Sequence, residues 1–161
     1  MEQWITVNPK QLSKLLDIDY KLWLETGVKA GRVPDVRGHP GIGKTEIITK
    51  WSLDKFKELW VNTLIHADPT DFKNIAFKRF INGTVETLLL EPDFVPPNDG
   101  VPRCVFFDDL TNAPPSVIAS LSRIFKDPEH DSGRYMKSWG RSNFIIVAQN
   151  YRSDRAVTYP L

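Results

Sequence analysis

One segment of the sequence combines glycines, a lysine and a threonine at a spacing suited to binding phosphate. Residues 38–45 read Gly-His-Pro-Gly-Ile-Gly-Lys-Thr and satisfy the pattern GxxxxGK[ST]. Glycines let backbone N–H groups turn inward around phosphate oxygens, where a Cβ would obstruct them. In such a loop Lys44 reaches the β- and γ-phosphates and the Thr45 hydroxyl ligates Mg²⁺. The alternative is a chance match in a glycine-containing turn, which the preceding apolar strand and the following periodic helix argue against.

The helix predicted after this loop adds the dipole of its N-terminus to the same anion site. We therefore expect ATP and Mg²⁺ as cofactors. The predicted nucleotide-binding residues are Gly38, His39, Pro40, Gly41, Ile42, Gly43, Lys44, Thr45 and Glu46.

Two aspartates follow the continuous apolar run from Cys104 to Phe107. Such a run is typical of a strand buried on both faces, as in a parallel sheet. Asp108 would then lie at the carboxyl edge of the sheet, where ligands bind in open α/β folds. A phosphate-binding loop needs a carboxylate there to hold the metal and orient water. Asp108 is accordingly a predicted metal ligand, together with Thr45, and Asp109 is predicted to polarise the attacking water. A turn or N-cap role is the alternative.

A second apolar strand, Phe144 to Ala148, is followed by Gln149 and Asn150. An amide at that position could hold the lytic water or contact the γ-phosphate. An Asx turn that closes the strand is an equally simple interpretation, and spacing does not decide between them. The candidate catalytic residues are Lys44, Asp109 and Asn150.

The elements that must position these residues alternate along the chain. Asn8-Pro9-Lys10-Gln11 predicts a helix start, with Asn8 as N-cap, and Gly27 is a natural stop. A strand from Val33 precedes the phosphate loop and a helix follows it; a further helix opens at Pro114-Pro115. The remaining predictions are a strand over 59–67, a hairpin of 77–81 and 84–90 around Asn82-Gly83, and an extended loop over 91–102.

This alternation predicts an α/β fold: a three-layer sandwich with a mainly parallel sheet and a β-hairpin insertion. We divide the chain into an N-terminal helical segment, 1–32, and a core, 33–161.

Composition argues against several classes of protein. The 161 residues carry 21 Lys and Arg against 20 Asp and Glu, so the net charge of +1 lacks the basic excess of a dedicated nucleic-acid binder. The single cysteine, Cys104, forms no internal disulfide, and no apolar run is long enough to span a membrane. The start shows no signal-peptide pattern, so a cytoplasmic location is expected. The three histidines lack ligand-like spacing, which argues against zinc.

Three segments together resemble MoxR-like AAA+ ATPases. They are Arg-Gly-His-Pro-Gly-Ile-Gly-Lys-Thr-Glu-Ile at 37–47, Phe-Phe-Asp-Asp-Leu-Thr-Asn-Ala-Pro-Pro at 106–115 and Gln-Asn-Tyr-Arg-Ser-Asp-Arg-Ala at 149–156. Asp-Pro-Thr-Asp at 68–71 matches a further family segment, and the resemblance runs from about residue 33 to the end in the expected order. Lys44 and Thr45 take the place of Walker A, Asp108 and Asp109 of Walker B, and Asn150 of sensor 1.

The resemblance implies a five-stranded AAA+ core that works as a ring, usually a hexamer, and an ATPase that remodels a protein partner in a chaperone-like way. Such partners often carry a von Willebrand A-type metal-ion site. Two departures are visible: Asp109 stands where the family usually has Glu, and the arginine finger and helical lid with sensor 2 are expected beyond Leu161. Arg152 and Arg155 are not assigned as fingers.

Other functions stay open at this point. A nucleic-acid motor or loader shares this architecture, although the charge balance does not indicate it. A nucleotide-binding assembly module that does not hydrolyse ATP is favoured by Asp109 and the missing lid. A small-molecule kinase would not need the polar strand end at Asn150.

Overall fold

A computed structural model describes residues 5–26, 33–68, 75–90, 95–127, 140 and 142–151. Its helices are α1 (Pro9–Thr26), α2 (Lys44–Lys55) and α3 (Pro115–Lys126). Its strands are β1 (Asp35–Arg37), β2 (Leu59–Thr63), β3 (Ile75–Ile81), β4 (Thr84–Leu90), β5 (Arg103–Asp108) and β6 (Asn143–Gln149). Short 3₁₀ turns cover Leu64–His66 and Leu110–Asn112.

The main sheet has the order β1-β6-β5-β2, and every neighbouring pair is parallel. The register places Thr63 beside Asp108 and Arg37 beside Gln149. The carboxyl ends of the strands therefore meet at one edge, as the sequence predicts for the polar residues that end β5 and β6. Within the described ranges the sheet has four strands, where the resemblance implies five.

Helices cover both faces of this sheet, which explains why β5 and β6 are apolar at successive positions. Val105 and Phe107 pack on one side in a cluster with residues of α3. Cys104 and Phe106 pack on the other side in a cluster with α1 and α2. The mainly parallel α/β sandwich predicted from the alternating pattern is confirmed.

Strand β2 ends earlier than the sequence suggests. The predicted strand over 59–67 stops at Thr63, and Leu64–His66 form a 3₁₀ turn in which Ala67 N–H donates to the Leu64 carbonyl at 3.2 Å. Leu64 is fully buried in the α3-side cluster. The chain turns because burying Leu64 there is favoured over a continued extended edge.

The predicted hairpin is present as an antiparallel pair, β3 and β4, joined at Asn82-Gly83. Asn82 has a φ of 49°, the left-handed conformation that this residue type tolerates in tight turns. β3 begins two residues before the predicted boundary. Among the described residues the hairpin forms its own two-stranded sheet.

Helix α1 starts at the predicted N-cap, Asn8, which forms a capping box with Gln11. Asn8 Oδ1 accepts from the Gln11 N–H and Gln11 Oε1 accepts from the Asn8 N–H, both at 2.9 Å. Its apolar stripe then packs on α2 and the sheet, with Leu16 buried. Trp51 Nε1 of α2 donates to Asp17 Oδ1 at 3.0 Å, which ties the two helices together. The predicted stop at Gly27 lies outside the described residues.

None of the described helices combines the length and apolar character needed to cross a membrane.

Candidate active site

The loop between β1 and α2 follows the geometry that its glycines permit. Gly41 and Gly43 have φ values of 78° and 87°, a region in which a side chain is strained. Gly43 is the N-cap of α2, and its carbonyl accepts the Ile47 N–H at 3.0 Å. The first-turn N–H groups of a helix lack intrahelical acceptors, so this terminus attracts anions. At the other end of the loop, Gly38 N–H donates to the Gln149 carbonyl at 3.3 Å and joins the loop to β6.

Lys44 is buried, with 9% of its surface exposed, and its ammonium is held by three oxygen acceptors. Nζ donates to the carbonyls of Gly38 and His39, both at 2.8 Å, and to Asn150 Oδ1 at 2.9 Å. A buried ammonium requires such partners because removal of a charge from water is costly. The loop therefore folds around its own cation.

Thr45 and Asp108 meet across the gap between α2 and β5. The Thr45 hydroxyl donates to Asp108 Oδ2 at 2.6 Å. Asp108 Oδ1 accepts the N–H of Asp109 at 2.9 Å, which fixes the orientation of the carboxylate. A hydroxyl oxygen and a carboxylate oxygen, both of which can ligate a metal ion, thus lie side by side at the edge of the sheet.

Asn150 lies between a cation and a carboxylate. Its Oδ1 accepts from Lys44 at 2.9 Å, and its Nδ2 donates to Asp109 Oδ1 at 3.3 Å. This assignment of oxygen and nitrogen places the acceptor on the ammonium and the donor on the carboxylate, so electrostatics favours it over the flipped amide. Asn150 is buried, with 9% of its surface exposed.

Asp109 occupies an unusual backbone position directly after β5. Its φ of 60° and ψ of 37° are left-handed values that few residues other than glycine adopt. Burial raises the pKa of the Asp109 carboxyl, and the neighbouring Asp108 raises the pKa further, against the opposing effects of Lys44 and of the Asn150 hydrogen bond. A carboxylate with a raised pKa holds a proton more tightly and is therefore a stronger base.

These side chains surround one cavity of about 420 Å³, within the size range of small-molecule sites. Of the predicted nucleotide-binding residues, Gly38 and His39 take part through the carbonyls that hold Lys44. Ile42 is 57% exposed and is not among the residues around the cavity. The lining residues are Pro40, Gly41, Gly43, Lys44, Thr45, Glu46, Asp108, Asp109 and Asn150.

The chemistry of this donor set fits a magnesium nucleotide. Mg²⁺ prefers hard oxygen ligands and is commonly bound by one or two carboxylates together with phosphate oxygens. Thr45 and Asp108 supply the adjacent hydroxyl and carboxylate oxygens. The glycine loop, the N-terminus of α2 and Lys44 supply the positive field that phosphates require.

The sequence did not predict a role for one residue at this edge, Thr111. The buried Thr111 hydroxyl donates to the main-chain carbonyl of Asn150 at 2.6 Å. The feature of the sequence that could have pointed to Thr111 is its position in the Asp-Asp-Leu-Thr-Asn-Ala-Pro-Pro run, two residues after Asp109. The predicted sensor-1 stretch beyond Tyr151, with Arg152 and Arg155, lies outside the described residues, as does most of the segment at 68–71.

The element order, the parallel sheet and the glycine loop that joins β1 to α2 define a P-loop ATPase-like α/β fold. The chain is similar to a crystal structure of a "putative ATPase" from Cytophaga hutchinsonii, with a TM-score of 0.50 and 16% sequence identity. The similarity covers 95% of this chain and 47% of the other, so the chain spans about half the length of that structure.

Comparison with protein-family models and with curated proteins gives no match. Solved structures match in 170 chains, and a fold shared so widely does not by itself identify a reaction. The fold alone therefore assigns no function to this chain.

Proposed function

We propose that this chain binds ATP and Mg²⁺ at the cavity around Lys44 and hydrolyses the nucleotide. The observation that supports this most strongly is the convergence of loop, α2, β5 and β6 on one cavity. Three segments that are far apart in the sequence contribute to its lining: Lys44 with Thr45, Asp108 with Asp109, and Asn150. These residue types are the ones that phosphate binding, metal binding and activation of water each require.

In this proposal each side chain has its own task. Lys44 turns its ammonium toward the β- and γ-phosphates, and Thr45 and Asp108 hold the cation. When bound, Mg²⁺ neutralises charge on phosphate oxygens. Asn150 engages Asp109 at Oδ1, so we assign Oδ2 of Asp109 as the atom that accepts a proton from water. The buried amide of Asn150 keeps that carboxylate in place.

Substitution of Lys44 tests the binding part of the proposal. Lys44→Ala removes a charge-assisted contact that contributes about 1.5–3 kcal/mol, so ATP affinity should fall about tenfold or more. Titration of a fluorescent ATP analogue measures it. Lys50→Ala is the matched control, since Lys50 is an exposed lysine on the same helix and does not line the cavity. Equal affinity of Lys44→Ala and the wild type, with both folded, would overturn the assignment.

The type of ATPase is a further part of the proposal. We propose a MoxR-like AAA+ module that works in a ring and remodels a protein partner, with a von Willebrand A-type domain as a candidate partner. Its support is the sequence resemblance over three motifs and a fold compatible with it. Measuring the mass of the assembled protein by light scattering, with and without ATP, tests the ring.

A second candidate is an assembly module that binds ATP without turnover. The observation that favours it is Asp109 itself, whose side chain is one methylene shorter than the glutamate usual in the resembled family. Its carboxylate also contacts Asn150 at 3.3 Å, a long hydrogen bond. Tight ATP binding without phosphate release from the wild type would favour this candidate over the first.

A further inference from the structure

The sheet itself does not hold Asn150 against β5. The pairing of β5 with β6 ends at Phe107 and Val147, three residues before Asn150. On the other side, the pairing of β6 with β1 ends at Gln149. Asn150 therefore lies just past the last ladder residue, where a strand end is free to shift unless another group fixes it.

The hydroxyl of Thr111 supplies such a contact to the backbone of Asn150, in addition to the hydrogen bond that Lys44 donates to its side chain. It donates to the Asn150 carbonyl at 2.6 Å, and Thr111 is only 4% exposed. Thr111 belongs to the 3₁₀ turn Leu110–Asn112, in which Asn112 N–H donates to the Asp109 carbonyl at 3.0 Å. The turn that carries Asp109 is thereby joined to the backbone of Asn150.

We infer that Thr111 is a positioning residue that sets the distance between the Asp109 carboxylate and the Asn150 amide. This inference rests on the proposed function, because it assigns those two groups to the reaction. The Asn150–Asp109 contact is 3.3 Å long, near the limit of a hydrogen bond, so a shift of a few tenths of an ångström breaks it. Thr111 acts through Asn150 and does not line the cavity.

Removing the hydroxyl tests the inference in two ways. Thr111→Val keeps the shape of the side chain and removes the donor, Thr111→Ala removes the methyl as well, and Thr111→Ser restores the hydroxyl. The first readout is hydrogen exchange of the Asn150 side-chain amide, followed by NMR. We expect exchange in Thr111→Val and Thr111→Ala to rise about three- to tenfold, the factor expected for one lost hydrogen bond, with Thr111→Ser close to the wild type.

The second readout separates binding from chemistry. In single-turnover phosphate release, Thr111→Val should be slower by about three- to tenfold, while ATP affinity stays within about threefold. Ser120→Ala is the matched control. Ser120 is also buried and its hydroxyl also donates to a carbonyl, that of Ser116 at 2.9 Å, but within α3. In Ser120→Ala, the rate of phosphate release and the exchange rate of the Asn150 side-chain amide should equal those of the wild type.

Three results would overturn the inference. The first is an exchange rate of the Asn150 amide in Thr111→Val that equals that of the wild type. The other two are changes in exchange and in phosphate release in Thr111→Ser, or in Ser120→Ala, as large as those in Thr111→Val. Failure of the proposed function looks different. If the wild type bound no ATP, the rate measurements would be lost, but the exchange of the Asn150 amide would still decide whether Thr111 positions it.

Discussion

At the scale of single residues, the site contains a hydrogen-bonded chain that runs from a cation through a neutral amide to an anion. The ammonium of Lys44 contacts the amide oxygen of Asn150, and the amide nitrogen contacts the carboxylate of Asp109. An amide suits this place because it offers an acceptor to the cation and a donor to the anion at once. A carboxylate in its place would repel Asp109, and an ammonium would repel Lys44.

Asp109 combines two costs that its neighbours must offset. It is a non-glycine residue in the left-handed region, and its ionised form is disfavoured by burial and by Asp108. Backbone strain of this kind at a functional position costs of order 1–3 kcal/mol. Stability is commonly lower where a site is built for chemistry.

We predict that Asp109→Asn raises stability at neutral pH while it abolishes hydrolysis. Because the folded state raises the pKa of Asp109 above its ordinary value of 3.8, ionisation destabilises the folded state as pH rises through that range. Asparagine carries no charge and tolerates left-handed backbone. The melting temperature of Asp109→Asn should exceed that of the wild type at pH 7, and the difference should shrink below about pH 4.

Thermal unfolding at several pH values, run beside a phosphate-release assay, checks this prediction. Asp127→Asn serves as the control, since Asp127 is an exposed aspartate at the end of α3. A lower melting temperature for Asp109→Asn at pH 7 would contradict the argument from desolvation.

At the scale of elements, the sequence was sufficient to predict those features that depend on residues close together in the chain. The capping box at Asn8 and Gln11, the turn at Asn82-Gly83 and the glycine loop all depend on residues close in sequence, and the structure has each of them. The end of β2 could not be predicted in this way. It depends on the burial of Leu64 against residues of β5 and α3, which lie some forty to sixty positions later.

The candidate site shows the same division. The motifs and the strand ends were sufficient to predict that residues 44, 45, 108, 109 and 150 meet at one edge of the sheet. The hydrogen bond from Thr111 to Asn150 could not, because it joins residues 39 positions apart and involves a main-chain acceptor. The contacts of Lys44 with the carbonyls of Gly38 and His39 could not be predicted either, because every residue has a backbone carbonyl and the residue type does not show which one accepts a hydrogen bond.

Helix α1 buries one leucine in the core. Leu16 is 1% exposed and packs in the cluster with Trp51, Phe56 and Phe144. Leu16→Ala should therefore lower the free energy of unfolding by about 2–5 kcal/mol through lost burial and a residual cavity. Leu24→Ala, at a leucine of the same helix that is 59% exposed, should change it by less than about 0.5 kcal/mol.

Urea unfolding of both leucine variants measures the difference. Equal effects at Leu16 and Leu24 would mean that α1 does not contribute its apolar face to the core.

At the scale of the whole molecule, the sheet separates chemistry from structural support. The carboxyl edge gathers the polar residues of the site. The opposite edge holds Arg103 at the start of β5, which is 5% exposed and donates to both oxygens of Asp99, at 2.6 and 2.9 Å. Arg103 Nε also donates to Glu58 Oε2 at 2.6 Å, just before β2. One guanidinium thus joins β2, β5 and the loop between the hairpin and β5.

This network predicts how stability depends on pH. Hydrogen bonds from Arg103 hold the pKa of Asp99 well below its ordinary value of 3.8, and they lower the pKa of Glu58 from 4.5. A carboxylate with a lowered pKa in the folded state stabilises the fold fully above its unfolded pKa, and that stabilisation is lost as pH falls. The wild type should therefore lose stability progressively below about pH 5.

Asp99→Asn should be less stable than the wild type at pH 7, because the buried Arg103 loses an anionic partner, and the difference in stability should narrow toward pH 3. Urea midpoints at pH 7, 5 and 3 measure this, with Asp54→Asn as the control, since the Asp54 side chain is 75% exposed and lies 3.5 Å from Lys55. A difference between Asp99→Asn and the wild type that stayed constant from pH 7 to pH 3 would show that Asp99 stabilises the fold by some means other than its charge.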